Sequence, residues 1–541
     1  MPLGRFRRFL PAFWGIALTQ CFPPGEGVEP PASQIYFPVG LALDPDGKSL
    51  FVVNSDFDLQ YNQGVLQRLD LERVHELVPR SCETDADCGD DKRCDVEPSA
   101  DNGQTPSYFC VDRSGPWANR PCGALDEAPS YQRVVAPGRC AQIQPSRPQD
   151  GGSSLVTASV QIGAFATDAV YRARPADAPS GPAGRLLIPV RGDTTVHYVD
   201  VDEEGNFDCG QGNADGRCDD RHRVGDDPDE ENTRDQRLPT SPFGIAASDD
   251  GRVVTITHQT EGQVSLLIND WSAPPRLEFV LGGLPSRPME LAAVPVPAVA
   301  AANPLSYQPG FFVTFRNSAE VRLLRFFDDG LFSDAQSVPA RPYLADVGGG
   351  RILTNSVGSD SRGIAVDSTA RDAAEAECDS VEPALQANCL SEASAVQLDV
   401  FVANRTPPSL VVGHTRPTNG ITATSDIPTF YRTIPLTAGP SRVFSGSVIN
   451  ADGEPELRVF VVCFDSRLVF IYDPKSDRIE AEIFTGRGPH PLALDAERGV
   501  AYIGHFTDSY IGVVALDQRF PRTYGTIVAT IGTPTAPRAT K

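Results

Sequence analysis

Gly40-Leu41-Ala42-Leu43-Asp44-Pro45-Asp46-Gly47, then Leu50-Phe51-Val52-Val53-Asn54, then Gly64-Val65-Leu66-Gln67-Arg68-Leu69-Asp70: the reading of these three runs decides the fold. The first is a strand of small residues closed by a polar turn. The second is an apolar strand ending on one polar side chain, and the third is another apolar strand. The order returns as Gly244-Ile245-Ala246-Ala247, Val253–His258 and Gln263–Leu267. It returns again as Leu492–Asp495, Ala501–His505 and Ile511–Leu516. Weaker copies begin near Asp168, Glu290, Gly363 and Arg442, which makes seven copies.

Short β-branched and aromatic runs bounded by Asp-Gly, Gly and Pro are strands by propensity and length. A unit of three or four strands recurring about every 40–50 residues cannot bury both faces of its own small sheet. Stacking the copies in a ring supplies the missing core. The expected fold is all-β: a seven-bladed β-propeller over residues 35–541, closed by pairing of Thr526–Ile531 with the segment near Ile35-Tyr36-Phe37. Three insertions account for the excess length: a Cys-rich stretch after blade 1 at 79–152, an acidic loop at 205–237 and a shorter loop at 372–394.

Pro38-Val39-Gly40-Leu41-Ala42-Leu43-Asp44 through Phe51-Val52-Val53-Asn54 resembles the YVTN-type, lactonase-like propeller repeat, and Val400-Phe401-Val402-Ala403-Asn404 carries the same ending. The resemblance covers roughly Ile35 to Gly532 apart from the insertions. It implies the fold and leaves function open, because this repeat serves binding proteins and enzymes alike.

Outside the repeat, the chain reads as exported. Arg5, Arg7 and Arg8 precede the mostly apolar Phe9–Thr19, so residues 1–20 read as a signal peptide. Leu18-Thr19-Gln20-Cys21 resembles the bacterial lipobox, which implies lipidation of Cys21, followed by a linker over 21–34. Plain secretion or an uncleaved anchor are the alternatives. Six cysteines cluster at Cys82, Cys88, Cys94, Cys110, Cys122 and Cys140; Cys209 with Cys218 and Cys378 with Cys389 make two more short-range pairs. Disulfides in an oxidising compartment fit this spacing better than zinc, since no C-x-x-C pair occurs. Cys463 is left over, inside an apolar strand. A net charge of −24 argues against a nucleic-acid partner.

Aligning the copies puts Asn54, Arg191, His258, Arg316, Asn404, Phe464 and His505 at equivalent second-strand ends. The equivalent first-strand starts are Gly40, Asp168, Gly244, Glu290, Gly363, Arg442 and Pro491, preceded by His490. Both sets should surround one mouth of the central channel and form a polar ligand cup. The lactonase-like resemblance implies Asp168, Glu290, Asn404 and His490 as candidates to hold a divalent cation such as calcium. Asp200-Val201-Asp202-Glu203-Glu204-Gly205 opens like an EF-hand loop but reads as an acidic turn, because Gln211 stands where a Glu is needed. Two functions follow as expectations. The first is a non-catalytic binding or scaffold protein of the cell envelope, monomeric and membrane-anchored, with a protein, glycan or peptide partner. The alternative is a metal-dependent hydrolase of the lactonase or esterase kind.

Overall fold

Strand alternation explains why the second strand of each repeat is apolar throughout. In the computed structural model Leu50 and Val52 point into one buried cluster while Phe51 and Val53 point into another. Val400 and Val402 part from Phe401 and Ala403 in the same way. Side chains two apart share a face of the sheet, and here both faces are covered. The hydrophobic core is thus divided into seven clusters, each lying between two neighbouring blades.

The structure describes residues 27–96, 108–112, 141–146 and 152–534, apart from 179, 211–215, 228, 231, 233, 302–307, 329–340, 353–358 and 416–425. Seven sheets follow one another along the chain, each an antiparallel meander running from an innermost strand at the channel outward in sequence order, with a parallel strand, Ala141–Ile143, added at the rim of blade 7. The innermost strands are Pro38–Leu43, Val170–Ala173, Pro242–Ala247, Pro288–Val294, Ser361–Asp367, Pro440–Ile449 and Pro489–Asp495. Those of blades 1 and 7 pack against each other, which closes the ring.

Closure differs from the sequence expectation. Thr526–Ile531 does not pair with Ile35–Phe37; it is the outer strand of blade 7, paired antiparallel with Tyr510–Ala515 and parallel with Ala141–Ile143. Ile35 only packs on the same hydrophobic seam. The seam of blades 7 and 1 is already continuous through Tyr502, Ile511 and Val528 on one side and Leu50, Val52 and Leu69 on the other, so no shared sheet is needed to seal it.

The small residues of the innermost strands also have a steric reason. A Cβ on Gly40 would lie 2.8 Å from the Cβ of Ala169, and one on Gly363 would lie 2.7 Å from the Cα of Arg442. Glycine there lets neighbouring innermost strands approach closely around the channel.

The insertions attach to blades rather than standing apart. The first enters inside blade 1, between its third strand Gly64–Asp70 and its outer strand Val156–Ile162. Its described part pairs Lys92–Val96 with Tyr108–Asp112 and carries the disulfides Cys82–Cys94 and Cys88–Cys110. Those bonds engage the sulfurs of Cys82, Cys88 and Cys94, which lie close enough together to suggest a metal. Cys21, Cys122 and Cys140 lie outside the described residues. The second insertion supplies the outer edge of blade 2 with two-residue strands, Phe207–Asp208 and Arg223–Val224, near Cys209–Cys218. Expected as a plain loop, 372–394 is instead mostly helical: Thr369–Glu377 and Pro383–Ala393 are joined by Cys378–Cys389. Its alanine-rich sequence favours helix where no neighbouring strand is offered.

Candidate functional site at the channel mouth

Every second strand ends on one face of the ring, and the chain returns to each innermost strand from that same side. In six of the seven blades the innermost strand opens with a register shift, as between Pro288 and Leu291, Pro440 and Arg442, and Pro489 and Leu492. A bulge of this kind redirects the side chains it contains. The shifts in blades 4 and 7 hold Glu290 and His490, two of the sequence candidates.

At one level of the channel six of the seven starts alternate, Pro491 of blade 7 being the exception. Gly40, Gly244 and Gly363 belong to blades 1, 3 and 5, while Asp168, Glu290 and Arg442 belong to blades 2, 4 and 6. The three charged side chains meet. Arg442 Nη1 donates to Asp168 Oδ2 at 3.1 Å and to Glu290 Oε1 at 3.1 Å. All three residues are buried. Burial pushes the Glu290 carboxyl up to about 8; Arg442 opposes that rise, and the Asp168 charge with its hydrogen bond to Glu290 adds to it. Burial thus favours the protonated form of Glu290. Burial also works against the Arg442 charge, but the two acidic groups outweigh it and raise its pKa. The second terminal nitrogen, Nη2, is buried with no hydrogen-bond partner among the described residues.

This geometry does not fit the cation implied by the lactonase-like resemblance. The two carboxyl groups that would hold it already converge on a guanidinium, and a divalent ion between them would face that positive charge. His490 lies close enough to Arg442 for the like charge to matter; burial first, then Arg442, holds its pKa well below 6.5. Below the cluster the channel is a cavity of about 450 Å³, walled by innermost strands and including Leu41, Leu291 and Val443.

Asn54, His258, Asn404 and His505 occupy the expected register, paired with the openings of their innermost strands at Pro38, Pro242, Ser361 and Pro489. Arg191, Arg316 and Phe464 lie one residue further on, because Val190, Phe315 and Cys463 hold the equivalent place. Most of the side chains in register do not reach the channel. Asn54 Nδ2 donates to Gln67 Oε1 at 3.0 Å in the next strand of its own blade. His258 Nδ1 donates to the Thr240 carbonyl at 3.2 Å, which leaves Nε2 to accept from the Ser265 hydroxyl at 2.8 Å. Burial lowers its pKa to about 4. His505 is fully buried, stacks on Tyr510 with ring centroids 3.9 Å apart, and is held down to about 3 by burial. Asn404 accepts from Ser359 Oγ at 2.7 Å and from Ser361 Oγ at 3.2 Å. The hydrogen bonds of Asn54, His258 and Asn404 pin corners of their blades, whereas His505 is held by stacking. Arg191 lies at the mouth, and Arg316 lies 3.5 Å from Asp360.

Five phenylalanines line the mouth itself, and the sequence alignment identified only Phe464 among them. A cup of about 160 Å³ is lined by Phe57, Phe165, Phe243, Phe464 and Phe506, with Arg191 and His490 among its polar members. Phe57 stands 5.1 Å from Phe506 and 5.8 Å from Phe165, centroid to centroid, and Phe464 stands 6.3 Å from Phe506. Phe57 is 54% exposed. The available signal was a phenylalanine just past a second-strand end, at Phe464 and Phe506. Phe57 and Phe165 sit in turns and Phe243 opens the innermost strand of blade 3, and their meeting depends on ring closure.

Other motifs are accounted for locally. Asp202 caps its turn by accepting from the Asn206 backbone at 2.7 Å, while Asp200 pairs with the buried Arg185. Gln211 lies outside the described residues. Cys463 is a buried free thiol, pushed up to about 12 by burial. Among the described residues, no helix is long and apolar enough to cross a membrane.

The sequence matches no protein-family model and no curated protein. Solved structures resemble it in shape. The periplasmic gluconolactonase of Pseudomonas aeruginosa is 12% identical, with 84% of this chain and 86% of that one covered and a TM-score of 0.41. Virginiamycin B lyase of Staphylococcus aureus is 9% identical over 88% and 93%, with a TM-score of 0.38. Hydrazine synthase of Kuenenia stuttgartiensis is 10% identical over 91% and 99%, with a TM-score of 0.41. The three differ in chemistry, and likeness at these values does not extend to activity. The chain is a seven-bladed β-propeller on its own sheet topology.

Proposed function

We propose that this chain is an exported, lipid-anchored propeller of the bacterial cell envelope that binds a partner at its aromatic mouth and does not catalyse a reaction. The observation that carries the binding reading is the phenylalanine cup above a charge cluster that is already internally paired. A cup of about 160 Å³ suits one ring or short aliphatic group, as a protein or peptide partner would present. Export is supported by Arg5, Arg7 and Arg8 before an apolar run, by Cys21 in its lipobox-like setting, and by the disulfide-forming cysteines. The outer membrane or cell surface is the proposed location, with the periplasm as the alternative.

Ligand-observed NMR on the purified mature chain tests the cup, with benzyl alcohol and indole as probes. Saturation transfer to the wild type should fall strongly in Phe57→Ser and in Phe506→Ala. The absence of transfer from either probe to the folded wild type would sink the reading. The hydrolase alternative draws on one observation, the raised pKa of Glu290, which suits a general acid. Lactone or ester turnover lost in Glu290→Gln would favour it over binding.

A further inference from the structure

The sector of the mouth opposite much of the aromatic cup, in blades 4 and 5, is built differently. Arg362 Nε and Nη2 donate to the two oxygens of Asp360 at 2.6 and 2.9 Å. Arg316 reaches the same carboxylate at 3.5 Å. The Arg405 backbone N–H donates to the Asp360 carbonyl at 2.7 Å, and its guanidinium pairs with Asp465 at 2.5 Å. Arg287 adjoins Arg316, whose backbone N–H donates to the Arg287 carbonyl at 3.0 Å. Arg287 is exposed and makes no ion pair among the described residues.

Three guanidinium groups, those of Arg316, Arg362 and Arg405, therefore gather around two carboxylates with Arg287 beside them, on a chain whose net charge is −24. Like charges at close range repel, so such a cluster forms at a cost unless an anion completes it. Arg316 registers that cost: burial lowers its pKa first, Arg362 lowers it further, Asp360 opposes, and Arg287 and Arg405 add to the lowering. The frame is held in place. Ser359 and Ser361, on either side of Asp360, both donate to Asn404 Oδ1, and Asn404 Nδ2 donates to the Pro407 carbonyl at 2.8 Å. Asn404, expected to line a ligand cup, instead fixes the segments of blade 5 that carry Arg362 and Arg405.

We propose that Arg287, Arg316, Arg362 and Arg405 form a binding site for a phosphate group at the channel mouth. Arginine suits the task because its planar fork meets phosphate oxygens with two parallel hydrogen bonds. Arg362 spends two donors on Asp360, so Arg287 and Arg316 have the most donor capacity left for the ligand. The phosphate belongs either to a lipid headgroup or to a soluble phosphorylated ligand. This site does not depend on the cup, since a cup that binds no aromatic probe leaves the phosphate measurement unchanged.

The test is a calorimetric titration of the purified mature chain with inorganic phosphate at low ionic strength, paired with sedimentation on phosphatidylglycerol and phosphatidylcholine vesicles. The double substitution Arg287→Gln with Arg316→Gln should weaken phosphate by about tenfold or more, as expected for losing charge-assisted hydrogen bonds. Its melting temperature should match the wild type. Arg519→Gln, in the turn beyond the third strand of blade 7 on the far face, should bind as the wild type does. Sedimentation with phosphatidylglycerol alone, lost in the double variant, assigns the headgroup. Phosphate binding without vesicle preference assigns a soluble ligand. Failure of the wild type to bind either phosphate or phosphatidylglycerol overturns the site, as does binding that the double variant retains in full.

Discussion

Two buried ion clusters in this propeller have opposite composition. In the channel one arginine, Arg442, holds two acidic groups, Asp168 and Glu290. Beside the helical insertion of blade 5 one acidic group, Asp426, is held by two arginines. Arg325 Nη2 donates to Asp426 Oδ2 at 2.8 Å and Arg371 Nη2 to Oδ1 at 3.3 Å. In the second cluster Arg325 and Arg371 also donate to backbone carbonyls, those of Gln308 and Val396 among them. Arginine does not lose its proton in proteins, so excess positive charge must be solvated by the fold itself. Excess negative charge is relieved by a proton instead. The Asp426 cluster is thereby a fixed joint between blades 4 and 5, while the channel cluster can change its charge and keeps an unpartnered nitrogen.

The largest expected effect comes from breaking the fixed joint. Asp426→Ala strands two buried arginines and should cost about 3–5 kcal/mol in urea unfolding. A loss below about 1 kcal/mol would mean the arginines find water or other partners and the joint is not structural.

The next effect concerns the proton. The Glu290 carboxyl titrates near 8 in the folded chain against an ordinary 4.5. The native state therefore holds a proton that the unfolded chain has released between these values. Stability from this group is full below about pH 4.5 and is lost as the pH rises through 8, by up to about 1.4 kcal/mol per unit. Glu290→Gln keeps the hydrogen-bonding form and should lack this slope, gaining on the wild type from pH 5 to pH 9. Asp56, raised by burial to about 7, contributes equally to both proteins and cancels. Parallel stability profiles for the two proteins would show that Glu290 is ionised throughout.

A smaller loss separates the clusters further. Arg371→Gln removes one of the two arginines on Asp426 and should cost about 1–3 kcal/mol without bending the profile between pH 5 and pH 9. Smallest of all, Phe57→Ser at the exposed cup should shift stability by no more than about 0.5 kcal/mol. A larger loss would make that ring part of the core and weaken its reading as a contact surface.

Much of the ring was legible because its signals are local. Strand alternation, Asp-Gly turns and the glycines at Gly40, Gly244 and Gly363 mark the blades, and their alignment alone puts Asp168, Glu290 and Arg442 at one level. Partner choice was not legible. Nothing near Arg442 in the chain says that its carboxyl partners lie in blades 2 and 4, or that Asn54 and His258 turn into their own blades. Seal and insertion were misread for similar reasons: packing sufficed where pairing was expected, and an alanine-rich loop had room to become helix.

By itself the sequence determined the number of blades, the order of strands within each and the register of the innermost-strand starts, because hydrophobic periodicity and turn chemistry act over a few neighbours. Only the tertiary structure decided which charges meet, which polar strand ends are buried and which phenylalanines share the mouth. Those outcomes depend on closing a ring that brings together residues hundreds of positions apart, and no local signal carries that distance.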